Sequence, residues 1–378
     1  MQIEDRGIIC DTRKRPESER VASFTGLCAT SSGSIICTFQ IGPAKNAANS
    51  ILLLFRSRDQ GRTWQEIPFR FETKIDGIPG AFSSGQIVEV EPGRLVLIAT
   101  WFDRSDPGRP FFDPVTEGIL PSRQLMAFSI DDGNSWSAWQ ELPIPGLKGC
   151  ASTGPILKWS DGVIAYPFES LKEFDDPNPA IPGAWCMISR DQGQTFGPPI
   201  LMARHPQNKI YYWDQRLCVG KSSGEFIGLY WAHDLEKKND LKVHIRKASL
   251  ANGTLQSAPI FPTRIPGQIA APLLLESGVL LAFVVDRSRP GTMKLWASRD
   301  GGASWLDHLV IHIHDERAAL TQNAENIDYA RYWEDMARWS FGHPAIQSLG
   351  DGEVLLSYYA GTPTCMSIQW ARVSIDTI

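Results

Sequence analysis

The sequence predicts an all-β chain folded as a six-bladed β-propeller with Asp-box repeats, its N-terminal strand closing the last blade. Three observations carry this prediction. The pattern Ser-x-Asp-x-Gly-x-Ser/Thr-aromatic returns at Ser57–Trp64, Ser129–Trp136, Ser189–Phe196 and Ser298–Trp305. A strand–turn–strand unit interleaves with it in six copies. The sixth copy stops one strand short, and the chain's opening can supply that strand. A short motif at long, roughly even intervals marks a repeated structural unit.

The octapeptide, an Asp box, follows an apolar run each time: Ile51–Phe55, Leu125–Phe128, Trp185–Ile188 and Leu295–Ala297. Its Asp carboxylate can accept hydrogen bonds from nearby backbone N–H groups and fold a tight turn. Its Gly takes a backbone conformation that other residues resist. The closing Trp or Phe buries a large apolar area and anchors the turn. The box is a hairpin staple, so it identifies the fold and not the chemistry.

The blades follow in chain order. Blade one spans Ser23–Phe71 and pairs Gly26–Thr30 with Ser34–Phe39. Blade two, Phe82–Leu142, pairs Gln86–Val90 with Arg94–Thr100. Blade three, Ser152–Met202, pairs Pro155–Trp159 with Val163–Phe168. Blade four, Trp213–Pro262, pairs Arg216–Val219 with Glu225–Trp231, and Ser249–Thr254 reads as a decayed box with Asn252 in place of Asp. Blade five, Gln268–His314, pairs Ala271–Leu275 with Val279–Val285. Blade six, Phe341–Ile378, pairs Pro344–Leu349 with Glu353–Tyr359 and borrows Gly7–Cys10. Joining the two termini in one blade seals the ring and leaves no open sheet edge. All 378 residues are expected to form a single domain. Ala318–Arg338 reads as a helix or long loop before blade six, and Phe102–Ser122 as a loop over one face, where function tends to sit.

Composition agrees and excludes several functions. The chain is 43% hydrophobic, with 13 Trp, 32 Gly and 26 Pro, which suits many short strands joined by turns. A net charge of −5 and no Lys/Arg block argue against nucleic acid as a partner. No apolar run reaches membrane-spanning length. The polar start Met1–Arg6 lacks a secretory signal, so the chain is expected to be cytoplasmic or to have lost such a signal. The 7 Cys lie mostly in apolar runs without metal-like spacing and read as buried reduced thiols. His308, His312 and His314 alternate on a blade-five strand; packing or surface roles are expected for them, and no metal or cofactor.

A propeller pools the starts of its first strands and the ends of its second strands around one mouth. The starts give Ser23, Ser83, Ser84, Ser152, Thr153, Asp214, Gln215, Arg216, Gln268 and His343. The ends give Gln40, Trp101, Asp103, Glu169, His233, Asp234, Asp286, Arg287, Tyr358 and Tyr359, with Arg104 and Arg289 just behind. Paired carboxylates suit acid/base work on a glycosidic bond. Arginines offer a fork for a sugar carboxylate, and Trp or Tyr offer stacking faces.

With Asp boxes on six four-stranded blades, the chain resembles the sialidase (neuraminidase) superfamily along nearly its whole length. The resemblance implies three arginines on the substrate carboxylate, an Asp acid/base and a Tyr–Glu nucleophile pair. By turn and box position, most of that set is replaced. The first-blade arginine position holds Ser23-Phe24-Thr25, with Arg20 upstream, and the acid/base Asp falls near Asn49. The fourth-blade Glu falls on Gln215 and the arginine of that blade on Trp231. The third arginine has counterparts in Arg287 or Arg289, and the Tyr position holds Phe341-Gly342-His343.

The first functional expectation is an exo-acting glycoside hydrolase on an acidic sugar, of sialic- or uronic-acid type. Asp214, Asp234 or Asp286 would supply acid and base. Arg216, Arg287 and Arg289 would hold the carboxylate. Trp101, Trp231 and Tyr358 would stack, with Asp103, Gln215 and Glu169 in the binding site. The second is a polysaccharide lyase on the same scaffold, with His233 or His343 as base and Tyr358 or Tyr359 as acid. The third is a propeller that binds glycan without turnover. The expected partner throughout is a glycan or small saccharide, with oligomeric state open.

Overall fold

The computed structural model describes residues 1–113, 115–251, 254–288, 291–315, 336, 338–350 and 352–375. Four-stranded antiparallel meanders follow one another along the chain. Blade one consists of Val21–Ala29, Ile35–Gly42, Ile51–Ser57 and Gln65–Glu66. Blade two consists of Gly80–Glu91, Arg94–Asp103, Ser122–Ser129 and Gln140–Leu142. In blade three the first strand is split into Cys150–Ser152 and Leu157–Lys158; Ile164–Ser170, Gly183–Ser189 and Ile200–Ala203 follow. Blade four runs Ile210–Val219, Glu225–Asp234, His244–Ala251 and Thr254–Ser257. Blade five runs Ala270–Leu274, Leu280–Asp286, Thr292–Ser298 and Ile311–Asp315. Blade six runs Phe341–Gly350, Glu353–Thr362 and Cys365–Ser374, and its outermost strand is Gln2–Cys10.

The first strand of each blade packs beside that of the next, and blade six returns to blade one. The fold is therefore a closed six-bladed propeller. Its seal is the N-terminal strand, antiparallel to Cys365–Ser374 with Ile8 opposite Gln369. That strand starts at Gln2, five residues before the apolar run Gly7–Cys10 that marks it in the sequence. Its outer half is exposed, so polarity there does not oppose pairing. A parallel bridge from Val21 to Met366 then joins blades six and one into one eight-stranded sheet.

Apolar side chains alternate to the two faces of each blade and fill the layers between blades. Ile36, Leu52 and Leu54 of blade one meet Leu97 and Leu125 of blade two in one such layer. Leu229 and Ile245 of blade four meet Leu280 and Ala282 of blade five in another. The seven cysteines are free, and all but Cys365 are buried. No helix among the described residues is long and apolar enough to cross a membrane.

The four boxes share one hydrogen-bond pattern. In the first, Asp59 accepts from the Thr63 N–H at 2.8 Å and the Thr63 hydroxyl at 2.6 Å, while Ser57 Oγ accepts the Gly61 N–H at 2.7 Å. Asp131, Asp191 and Asp300 repeat the Asp contact with the N–H of Ser135, Thr195 and Ser304. Burial opposes ionisation of Asp59, yet the Thr63 hydrogen bonds outweigh it and hold the carboxyl at about 2. Gln60 and Gly61 are both left-handed, at φ 57° and 86°, which gives the turn the twist that a hairpin needs.

The decayed box lies partly outside the described residues, since Asn252 and Gly253 are not among them. Most of Ala318–Arg338 is outside as well. The loop after Asp103 folds against the loop after Ser170: Ile119 N–H donates to Lys172 O at 3.1 Å, and the Arg109 guanidinium lies 4.0 Å over the Phe174 ring. Together these loops wall one side of the mouth.

Candidate active site

The innermost strands carry a β-bulge at the mouth in four blades. The pairing shifts between Ser23 and Gly26, Phe82 and Ser84, Trp213 and Arg216, and Gly342 and Ala345. In blades one, four and six the bulge residue is left-handed: Phe24 at φ 60°, Asp214 at 44° and His343 at 52°. Such a conformation is costly for bulky residues and clusters at functional sites. A bulge re-aims a side chain that regular alternation would send between blades. Phe24, Asp214 and His343 accordingly line one hollow, with Ser83, Ser84, Ser152, Thr153, Glu169 and Asn46. Phe102, Phe111, Ile119 and Leu171 form its apolar wall, and Met336 lies over it. The hollow measures about 80 Å³, room for a carboxylate and a few waters.

Two carboxyl groups meet there. Glu169, at the end of blade three's second strand, accepts the Asp214 backbone N–H at 3.1 Å on one oxygen and Trp213 Nε1 at 3.1 Å on the other. Burial, then the charge of Asp214, push the Glu169 carboxyl up to about 8. Burial also raises Asp214, but Arg216 draws it back. Arg216 Nε donates to Asp214 Oδ1 at 2.8 Å, with Nη2 also 2.8 Å from that oxygen. Asp214 Oδ2 accepts no hydrogen bond from the described residues. Burial and the neighbouring charge thus push Glu169 toward its protonated form, while Arg216 favours the charged form of Asp214.

His343 completes this cluster. Its Nδ1 lies 3.0 Å from Thr25 O, and a carbonyl only accepts, so Nδ1 carries the hydrogen and Nε2 is an acceptor. Burial, then Arg216, hold its pKa well below the usual range, with Arg287 adding to the effect. Its ring meets Phe24 edge-on at 5.3 Å.

Arg287 is 8% exposed, and its Nε and Nη1 are buried without hydrogen-bond partners. No carboxylate among the described residues pairs with it. Its guanidinium lies 3.8 Å over the Trp339 ring and 5.9 Å from that of Trp231. Trp231 stacks on Trp213 at 4.9 Å and 10°. Behind this stack stands Asp240, a residue the sequence reading missed. One oxygen accepts Trp231 Nε1 at 2.8 Å and faces His233 Nδ1 at 3.0 Å; the other accepts Gln268 Nε2 at 3.0 Å. Gln268 Oε1 in turn accepts the Arg287 backbone N–H at 2.9 Å. Asp240 lies in the charged run Glu236–Asp240, which reads as a solvated turn; its place just past a second-strand end was the available signal.

Of the residues expected at the mouth, Glu169, Asp214, Arg216, Arg287 and His343 come together. Several others do other work. Trp101 is 1% exposed, ties its Nε1 to Thr73 O at 2.8 Å and offers no stacking face. Trp231 is 2% exposed and supports Arg287 from within the core. Tyr358 is buried against Phe283 and His314, and burial pushes its hydroxyl up to about 12, which removes it as a ready acid. Asp234 caps a turn at the Lys237 N–H, 2.8 Å away, and Asp286 caps the Ser288 N–H at 3.0 Å. Asp103 likewise takes the Ser105 N–H at 2.8 Å. Gln215 is fully buried and bridges Phe168 O at 2.8 Å and Trp185 O at 2.7 Å, joining blades three and four. His233 is 1% exposed and turned to Asp240, away from a role as free base. Arg289 lies outside the described residues. Asn46 lines the hollow in the loop where Asn49 was expected. Among the described residues no cluster of His, Cys, Asp and Glu could hold a metal ion.

No protein-family model and no curated protein matches the sequence. Solved structures do. A Dyadobacter fermentans protein of unknown function superposes with a TM-score of 0.70 at 15% identity, over 99% of both chains. The Hadza microbial sialidase Hz136 gives 0.64 at 17% identity, over 96% of this chain and 67% of that one. The Ruminococcus gnavus intramolecular trans-sialidase gives 0.64 at 11% identity, over 98% of this chain and 97% of its own. The fold is sialidase-like; identities this low speak to the fold alone.

Proposed function

We propose that this chain is a carbohydrate-active enzyme that hydrolyses the terminal residue of an acidic glycan, of sialic- or uronic-acid type, at the mouth of its propeller. The reading rests on one observation: the buried Glu169 carboxyl, pushed up to about 8, is bonded to the backbone of half-buried Asp214, which Arg216 contacts, beside Arg287, a buried cation with unmatched donors.

In this reading the sugar carboxylate pairs with Arg287, whose planar fork suits bidentate contact. Glu169 gives its proton to the glycosidic oxygen as the bond to the anomeric carbon breaks. Water adds its oxygen to that carbon, and Asp214 takes the water's proton through its open Oδ2. The proton then returns from Asp214 to Glu169, directly or through solvent. Arg216 favours the ionised form of Asp214 until that transfer. The sialidase-like fold of the compared structures supports a saccharide as ligand.

A second reading, a lyase acting next to a uronate, draws on His343 alone. Its tautomer leaves Nε2 as an acceptor, which a proton abstraction needs.

The test is incubation with fluorogenic sialosides and glucuronides and with uronate oligosaccharides, with wild type and the Glu169→Gln and Asp214→Asn variants. Release of the aglycone by wild type, lost in both variants, supports hydrolysis. An unsaturated product absorbing in the ultraviolet supports the lyase instead. Binding without any product, unaltered in both variants, overturns both enzymatic readings.

A further inference from the structure

We propose a second saccharide-binding site, for a neutral sugar, in a groove on the outer flank where blades one and two meet. It lies between the connection 67–79 and the segment 136–141 that follows the second Asp box. The groove measures about 470 Å³, within the roughly 300–1,000 Å³ of ligand clefts. It shares no lining residue with the mouth and stands independently of the function proposed there.

Its floor is aromatic. Phe69 meets Phe71 edge-on at 4.9 Å, and Phe71 lies 4.8 Å from Trp139 at 30°. Trp139 packs in turn on Phe82 at 5.1 Å. Phe71 is buried, whereas Phe69 and Trp139 are only half-buried and present ring surface to the groove. Hydrogen bonds fix this floor. Trp139 Nε1 donates to Glu72 O at 3.0 Å, and the loop tip is closed by reciprocal bonds between Ile75 and Ile78 at 3.0 and 2.8 Å. A pre-formed floor spares a ligand the ordering cost of building it.

Of the charged side chains on the rim, Arg70, Asp76 and Glu141 are already paired. Arg123 bridges Asp76 at 2.6 Å and Glu141 at 3.5 Å, and Arg70 is held by Glu66. Glu72 accepts the Lys74 backbone N–H at 2.9 Å. An ion gains little from such a rim, and a purely apolar ligand would strip its hydration. A neutral sugar matches both parts: its C–H face lies on the rings while its hydroxyls reach the polar edge.

The test is saturation-transfer NMR on the full chain with neutral probes, N-acetyllactosamine and cello-oligosaccharides, and with sialyllactose as the acidic comparator. Wild type, Trp139→Ala, Phe69→Ala and Arg287→Ala are compared, with thermal melting to check folding. A neutral probe is expected to bind wild type and Arg287→Ala alike. Phe69→Ala, at a half-buried position on the edge of the core, should weaken binding about threefold to tenfold, and Trp139→Ala at least as much. Absence of any neutral-probe signal with wild type overturns the proposal. So does binding that survives both groove substitutions, or that disappears in Arg287→Ala, which would place the sugar at the mouth.

Discussion

Glu169 accepts the backbone N–H of Asp214 at 3.1 Å, so a side chain of blade three is bonded to the strained bulge residue of blade four. This contact sets two carboxyl groups together across a blade boundary. The charge of Asp214 opposes ionisation of Glu169, and Arg216 offsets part of the burial cost on Asp214.

The first prediction concerns pH. The folded-state pKa of Glu169, about 8, lies above its unfolded value of 4.5. The folded chain therefore holds a proton that the unfolded chain releases. The stability this gives is full below the unfolded value and is lost as pH rises through the folded one. Glu169→Gln removes the titration while keeping the shape. Its melting temperature relative to wild type should climb steadily from acidic to alkaline pH; a flat difference would contradict the assignment.

Arg287 should govern affinity for anionic sugars. Arg287→Lys keeps the charge but loses the fork and the stacking on Trp339. Loss of a charge-assisted hydrogen bond, about 1.5–3 kcal/mol, corresponds to about 10- to 150-fold weaker binding. Titration with an acidic sugar and its uncharged analogue checks this: only the acidic one should weaken.

Asp240 should act as a positioning residue for Arg287. Asp240→Ala leaves Trp231 Nε1 and Gln268 Nε2 without their acceptor, at a cost of about 1–3 kcal/mol in denaturant unfolding. Asp240→Asn keeps one acceptor oxygen and should recover part of that loss. If Gln268 transmits the effect, affinity for an acidic sugar falls in parallel while affinity for its neutral analogue is unchanged.

Two turns of blade one, the first hairpin turn and the first Asp box, supply a matched pair of substitutions. Gly61 is at φ 86°, and a Cβ there would come within 2.8 Å of Leu355 Cδ1. Gly33 is at φ 81° with nothing within 4 Å. Gly33→Ala should cost about 1 kcal/mol through backbone strain alone, and Gly61→Ala clearly more, because Leu355 must also move. Denaturant midpoints of the two variants test the difference.

Thiol chemistry should distinguish one cysteine. Burial pushes Cys10, Cys28, Cys150, Cys186 and Cys218 up to about 12 and buries Cys37 as well. Cys365 alone is partly exposed. A thiol reagent should label Cys365 rapidly in the native chain and all 7 only after unfolding, as mass spectrometry can count.

The fold was legible because its signals are local. A box such as Ser57–Trp64 folds through contacts within eight residues, and the Gly turns between apolar runs are equally short-range. Even the closing strand announced itself as Gly7–Cys10, though its polar half, Gln2–Arg6, did not, since pairing there is settled by Arg372 and Val373 on the partner strand. The site was legible only in part. Reading strand ends gathered Glu169, Asp214, Arg216, Arg287 and His343, which the fold brings near one another. It could not separate them from Asp234 and Asp286, which stand at similar strand ends but cap their own turns.

What the sequence alone determined, then, is the repeat, the ring and the band of residues around its mouth, because periodicity and turn chemistry act over a few neighbours. Tertiary structure decided which of those residues face inward. Alternation along a regular strand sends side chains between blades, and the bulges at Phe24, Asp214 and His343 re-aim those residues at the hollow. Tertiary structure also decided their charge, because burial and a neighbour from another blade set the protons on Glu169 and His343.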